Sequence, residues 1–179
     1  MKCSVYIAIS IDGFIAKPDG GIEWLNRPEY SASEMKGLSY NDFISTVDAL
    51  VMGRHSFEKV LSFSSWPYEG TMVIVLSSTD VEIPEYLKGK VRRESGAPEK
   101  IVSTLEAKGK KHLYIDGGIT IQRFLKAKLI DELTITEIPI LLGSGIPLFG
   151  NEGDEQPLEL IEAFVSENGF VQERYRVKK

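Results

Sequence analysis

The sequence predicts an α/β fold in which a mostly parallel central sheet carries helices on both faces and ends in an antiparallel hairpin. Three observations lead there. Residues 49–52 and 71–76 are nearly continuous apolar runs, Ala-Leu-Val-Met and Thr-Met-Val-Ile-Val-Leu, as in strands buried on both faces. Between such runs, apolar residues recur at i, i+3 and i+4, the spacing of helices with one buried face. From Glu132 onward the helical spacing stops and strands alone follow, which puts an antiparallel segment at one end of the sheet.

At 179 residues the chain is expected to form one domain, residues 1–179. That length buries about two-thirds of the unfolded surface without metals or disulfides. It is 42% hydrophobic and 26% charged, and its net charge of -5, with basic residues dispersed, argues against a nucleic-acid partner. The single cysteine, Cys3, rules out an intramolecular disulfide and, placed in the first apolar strand, reads as a small buried hydrophobe. The opening apolar run is too short for a signal peptide and no run reaches the length of a membrane span, so a cytoplasmic protein with no membrane partner is expected.

Residues 3–11, rich in β-branched and aromatic side chains, form the first strand, in the middle of the sheet. It ends at Asp12-Gly13. Phe14-Ile15-Ala16 leads into the turn-rich Lys17-Pro18-Asp19-Gly20-Gly21 and on to Ile22-Glu23-Trp24-Leu25, a loop with an aromatic that reads as a lid. A helix is expected from about Ser33 to Val47, with Tyr40, Phe43, Ile44 and Val47 as its apolar stripe. Its second stripe, Met35, Leu38 and Asp42, turns one carboxylate either to a pocket or to water. The strand at 49–52 then stops on Gly53-Arg54-His55-Ser56, and Phe57, Val60 and Leu61 mark a helix. The strand at 71–76 stops on Ser77-Ser78-Thr79. A proline-interrupted connection holds a short strand near 90–93, and Ile101, Val102 and Leu105 mark a helix within 97–108. The strand at 110–115 breaks at Asp116-Gly117-Gly118, which opens a helix with Ile121, Phe124 and Leu125 inward. A long strand over 132–142, a loop at Gly143-Ser144-Gly145-Ile146-Pro147 and two strands joined at Glu167-Asn168-Gly169 complete the chain.

In open sheets of this kind ligands bind outside the carboxyl ends of the strands. The turns after Ile11, Met52, Leu76 and Ile115 all lie at those ends and face one side. At Gly53-Arg54-His55-Ser56 unpaired N–H groups point outward with the positive end of a helix dipole, and Arg54 adds a cation: a phosphate site by physics. The same tetrapeptide also reads as a helix start capped by Ser56, with Arg54 and His55 in water. Arg54, Ser56, Ser77, Ser78 and the N–H groups near Gly117-Gly118 together offer donors for several phosphate oxygens, while no Walker lysine, metal-ligand cluster or nucleophile–His pairing is present. A nucleotide bound without metal is the chemistry this pattern suits.

Four blocks in order, the run from Ile7 to Ala16, Val51-Met52-Gly53-Arg54-His55-Ser56, Val75-Leu76-Ser77-Ser78 and Gly117-Gly118, resemble dihydrofolate reductase. Ser10-Ile11-Asp12-Gly13, Trp24 followed by Pro28-Glu29, Asp116-Gly117-Gly118 running into Leu129-Ile130-Asp131-Glu132-Leu133, and Ile138-Pro139-Ile140-Leu141-Leu142-Gly143-Ser144-Gly145 are more similar still to another reductase. That is the C-terminal reductase domain of the bifunctional riboflavin-biosynthesis protein. The resemblance covers essentially the whole chain and implies a dihydrofolate-reductase-like three-layer sandwich. It also implies an NADPH-dependent oxidoreductase acting on a small pterin- or aminopyrimidine-like heterocycle. By analogy Arg54, Ser77 and Ser78, at the end of the strand that carries Leu76, hold the adenosine 2′-phosphate. His55, Ser56 and the helix start Gly117-Gly118-Ile119-Thr120, with Gly53 beneath, hold the pyrophosphate, and Ala8, Ile15 and Trp24 line the nicotinamide end.

Asp12, Trp24, Leu38, Asp42 and Asp116 are the expected substrate contacts, with Asp42 and Asp116 as the candidate catalytic carboxylates. By the resemblance Asp116 is a shorter version of the carboxylate before the riboflavin reductase's glycine pair, whereas Asp42, beside Leu38 on the second helical stripe, is a candidate for a differently placed substrate. Two departures stand out. The acid that grips the pterin in dihydrofolate reductases falls here at about Gly37, and the arginines that follow Pro-Glu in the riboflavin reductase are replaced by Tyr30-Ser31-Ala32-Ser33, leaving Arg27 for a ribose phosphate. The expected activity is that of the riboflavin-pathway reductase; the alternatives are dihydrofolate reduction proper and a non-catalytic NADP-binding module. The family commonly dimerises, so a homodimer is expected.

Overall fold

In chain order the elements are β1 (Lys2–Ser10), β2 (Phe14–Ala16), α1 (Tyr40–Ser45), β3 (Ala49–Gly53), α2 (Arg54–Leu61), β4 (Met72–Leu76), β5 (Val91–Glu94), α3 (Pro98–Ala107), β6 (His112–Asp116), α4 (Gly118–Lys126), β7 (Glu132–Ile138), β8 (Ile146–Pro147), β9 (Leu158–Val165) and β10 (Val171–Val177). The computed structural model describes residues 1–30, 34–150 and 153–179. Eight strands form one sheet in the order β5-β4-β3-β6-β1-β7-β10-β9. All pairs from β5 to β7 are parallel, and β10 runs antiparallel to both β7 and β9.

The apolar runs sit where two-sided burial requires them. In β3, Ala49 and Val51 face one core with Ile101, Leu105, Ile121 and Phe124 from α3 and α4. Leu50 and Met52 face the other, with Phe43 of α1, Phe57 of α2 and Tyr114 of β6. Period-two alternation therefore divides one strand between two helical layers. Cys3 is buried in the first core, and burial pushes its thiol up to about 12, as a small hydrophobe behaves. Among the described residues no helix is long and apolar enough to cross a membrane, and no group of three metal-ligating side chains converges.

Two elements are shorter than the sequence indicates, and one pairing is new. The helix expected over 33–47 spans only Tyr40–Ser45, and its expected start at Ser33 lies outside the described residues. Gly37 adopts φ +103°, Leu38 N–H donates to Gln172 Oε1 at 2.7 Å, and the Ser39 hydroxyl accepts from Asp42 N–H as the cap. The segment before the helix is thus fastened to β10 through Gln172, with a bend at residues 37–38. The strand expected over 132–142 stops at Ile138, because Pro139 has no N–H for the ladder. Residues 143–147, read as a loop, hold β8, which pairs antiparallel with β2.

Candidate active site

The carboxyl ends of β1, β3, β4 and β6 open into one cleft of about 1120 Å³, roofed by the 15–25 loop and walled by α2 and α4. Its size suits a dinucleotide together with a second small molecule.

One end of the cleft is built for anions. α2 begins after Gly53 and α4 after Gly117, and neither has a side-chain cap, so their first N–H groups have no capping side chain competing for them. That settles the reading in which Ser56 caps its own helix: the N-cap is Gly53. The two helix starts touch. A Cβ on Gly117, which sits at φ +85°, would fall 2.4 Å from Ser56 Oγ, and one on Gly53 would fall 3.2 Å from Thr120 Oγ1. Gly118 lies under the β2–β8 pair, where a Cβ would meet Pro147 O at 3.0 Å and Ile15 Cδ1 at 3.2 Å. Beyond α2, an Arg54 terminal nitrogen donates to Thr79 Oγ1 at 3.1 Å and its Nε pairs with Glu58 at 3.1 Å, so the guanidinium lies over the turn that carries Ser77 and Ser78. Arg123 of α4 reaches the same end and donates to Gly96 O at 3.0 Å.

The other end is aromatic. Tyr6 and Ala8 of β1 and Tyr114 and Asp116 of β6 share one parity each, so the sheet presents them to the cleft side by side. Tyr40 of α1 and Tyr68 join them, and Tyr6 stacks on Phe43 with centroids 4.9 Å apart. Burial raises the Asp116 carboxyl to about 6, partly offset by the Gly117 N–H. The same burial, with the Asp116 charge adding to it, lifts the Tyr40 phenol to about 12 and Tyr68 higher still. At neutral pH the phenols are donors and Asp116 exchanges a proton readily.

Of the residues singled out from sequence, Ala8, Ile15, Gly53, Arg54, His55, Ser56, Leu76, Ser77, Ser78, Asp116, Gly117, Gly118, Ile119 and Thr120 all line this cleft. Four do not. Asp42 is exposed on α1 and hydrogen-bonds the Ser39 hydroxyl at 2.6 Å, because the helix starts too late for a stripe through Met35 and Leu38 to exist. Leu38 instead packs against the second core, and its carbonyl accepts from Tyr6 Oη at 2.8 Å. Asp12 accepts the Leu142 and Gly143 N–H groups at 3.1 and 2.7 Å, a staple between two loops, which together with the Ser10 hydroxyl holds its carboxyl below the usual range. Trp24 is 2% exposed and sits beneath the loop, while its neighbours Ile22 and Leu25 meet the cleft. Arg27 is exposed, pairs with Glu29 at 3.6 Å and lies outside the cleft. Sequence reasoning passed over the tyrosines, Lys59 and Arg123; for Tyr6 and Tyr114 the signal was there, two residues before Ala8 and Asp116 on their strands.

The profile of the RibD C-terminal domain family matches residues 2–171. An uncharacterized Bacillus subtilis (strain 168) protein, YwjB, is 36% identical over 162 residues, 89% of this chain and 88% of its own. The crystal structure of a putative riboflavin biosynthesis protein from Shewanella sp. PV-4 superposes with a TM-score of 0.89 at 41% identity, covering 100% of both chains. Dihydrofolate reductase from Enterococcus faecalis, in complex with NADP(H) and RAB-propyl, superposes with a TM-score of 0.63 at 20% identity over 99% of this chain and 97% of its own. The fold is that of dihydrofolate reductase.

Proposed function

Because the chain belongs to the RibD C-terminal domain family, we propose that it is an NADPH-dependent reductase of a pterin- or aminopyrimidine-like heterocycle, of the riboflavin-pathway type. The observation that carries this reading is the meeting of two uncapped helix starts at Gly53 and Gly117, with Arg54 poised beyond them over Ser77 and Ser78.

The donor set fits the cofactor. The N–H groups at the starts of α2 and α4, with the Ser56 and Thr120 hydroxyls, would hold a pyrophosphate, and Arg54 with Ser77 and Ser78 a 2′-phosphate. When bound, NADPH supplies the hydride. The remaining tasks fall to the protein. Ala8 and Ile15 give the nicotinamide ring an apolar bed, and the tyrosine wall gives the substrate ring a flat one. Ile15, Ile22 and Leu25, carried on the roofing loop, exclude water. Asp116, the carboxyl group at this aromatic end, holds a proton for the reacting ring nitrogen.

The test is an NADPH-oxidation assay on the purified protein with dihydrofolate and with 5-amino-6-(5-phosphoribosylamino)uracil. Turnover of the aminouracil is expected. Turnover of dihydrofolate alone would assign dihydrofolate reduction instead, and cofactor binding with no oxidation in either case would mark a binding module.

A further inference from the structure

The cleft is lined by four basic side chains, and three of them already have protein partners. Arg54 is held by Glu58 and Thr79, His55 lies 3.4 Å from Glu58, and Arg123 donates to the Gly96 carbonyl. Lys59 is different. It lines the cleft, it is partly buried, and its ammonium has no hydrogen-bond or ion-pair partner among the described residues. A partly desolvated, unpaired ammonium in a concave site favours an anion.

Its place on α2 indicates which anion. Lys59 lies five residues beyond Arg54, about 7.5 Å further along the helix axis. It is on the face that also brings Val60, and past the helix end Phe63, to the cleft, toward the wall that Tyr68 completes. Across the mouth is the roofing loop: after Lys17, Lys59 adds to the field that holds the Glu23 carboxyl below its usual range. Lys59 thus meets the cleft more than a turn of α2 away from Arg54, the residue that overlies the Ser77–Ser78 turn. The cation that sequence comparison offers for a substrate phosphate, Arg27, is on the surface and paired with Glu29.

We propose that Lys59 is the anchor for an anionic substituent of the substrate, a phosphate or a carboxylate carried on a tail attached to the reducible ring. The proposal rests on the reductase reading above. It makes Lys59 a specificity-determining residue whose side chain reads the tail while the tyrosines and Asp116 read the ring.

The test pairs each tailed compound with its tailless counterpart: 5-amino-6-(5-phosphoribosylamino)uracil against its dephosphorylated nucleoside, and dihydrofolate against 6-methyldihydropterin. Dissociation constants and, where there is turnover, KM and kcat are measured for the wild type, Lys59→Met and Lys59→Arg. The wild type is expected to favour one tailed compound at least tenfold. Lys59→Met should abolish that preference through KM with kcat retained, and Lys59→Arg should restore most of it. The pair that shows the preference identifies the anion as phosphate or carboxylate. A preference that survives in Lys59→Met overturns the assignment. So does a wild type that discriminates in neither pair or binds none of the four compounds, and so does a Lys59→Met variant whose main loss is in NADPH affinity. An NADPH titration of the same samples separates the two failures: no NADPH binding by the wild type defeats the reductase reading itself, whereas NADPH binding without tail discrimination defeats only the role of Lys59.

Discussion

Asp116 shows how one position joins stability to chemistry. The tight Gly117-Gly118 turn and the nearby phenols leave its carboxyl half-buried at the cleft, and partial desolvation raises its affinity for a proton to about 6. In the folded state the group binds a proton more tightly than in the unfolded chain. Its contribution to stability is therefore present below about pH 4 and lost as the pH rises through 6. Asp116→Asn is expected to be more stable than the wild type above pH 6, by ~2–3 kcal/mol at most, and no more stable near pH 4; urea unfolding at the two pH values checks this. In the wild type, kcat should fall as the pH rises past about 6, and the variant should be slower by roughly 10²–10⁴-fold with that limb of the profile gone. The sequence marked Asp116 through the glycine pair beside it. It could not separate Asp116 from Asp42, because the choice depends on where α1 begins, and that is set by contacts of Gly37 and Leu38 with Gln172 on the far side of the chain.

Among the elements, α2 and α4 matter most because their starts meet. Gly117 has a positive φ with an extended ψ (+85°, 137°), a conformation that costs a residue with a side chain about 1–3 kcal/mol, and a Cβ there would also collide with the Ser56 hydroxyl. Gly117→Ala is expected to lower the urea midpoint by an amount equivalent to about 1–3 kcal/mol and to weaken NADPH binding by spreading the two helix starts. Adding Ser56→Gly should recover the part due to the collision and leave the part due to φ. Equal stability of wild type and Gly117→Ala would show that the helices do not need this approach. Strands and helices of this layer were legible because burial on both faces leaves continuous apolar runs and glycine marks the turns. The β2–β8 pair was not, since two residues from each side carry no periodicity; it is visible only once Gly145, where a Cβ would fall 2.3 Å from Ala16 O, is seen to let the strands close over Gly118.

Across the whole molecule, the parallel order β5-β4-β3-β6-β1-β7 brings turns from four separated parts of the chain to one edge. No one turn specifies a dinucleotide. Together they make a cleft with anion donors at one end and an aromatic floor at the other, and the topology, readable from the alternation of strand and helix, fixes that polarity. The substrate end is less legible for a physical reason: Tyr6, Tyr40 and Tyr114 come from three different elements and Tyr68 from the loop after α2, and each looks, one by one, like a core aromatic. On the proposed function the donor end is a site for NADPH, with Arg54 reading the 2′-phosphate. A fluorescence titration of wild type and Arg54→Ala with NADPH and with NADH decides it. The wild type is expected to prefer NADPH. The substitution should weaken NADPH by about 10–100-fold, the worth of one charge-assisted contact, and NADH by no more than a few-fold. Equal losses for the two cofactors, or a wild type indifferent between them, would contradict it.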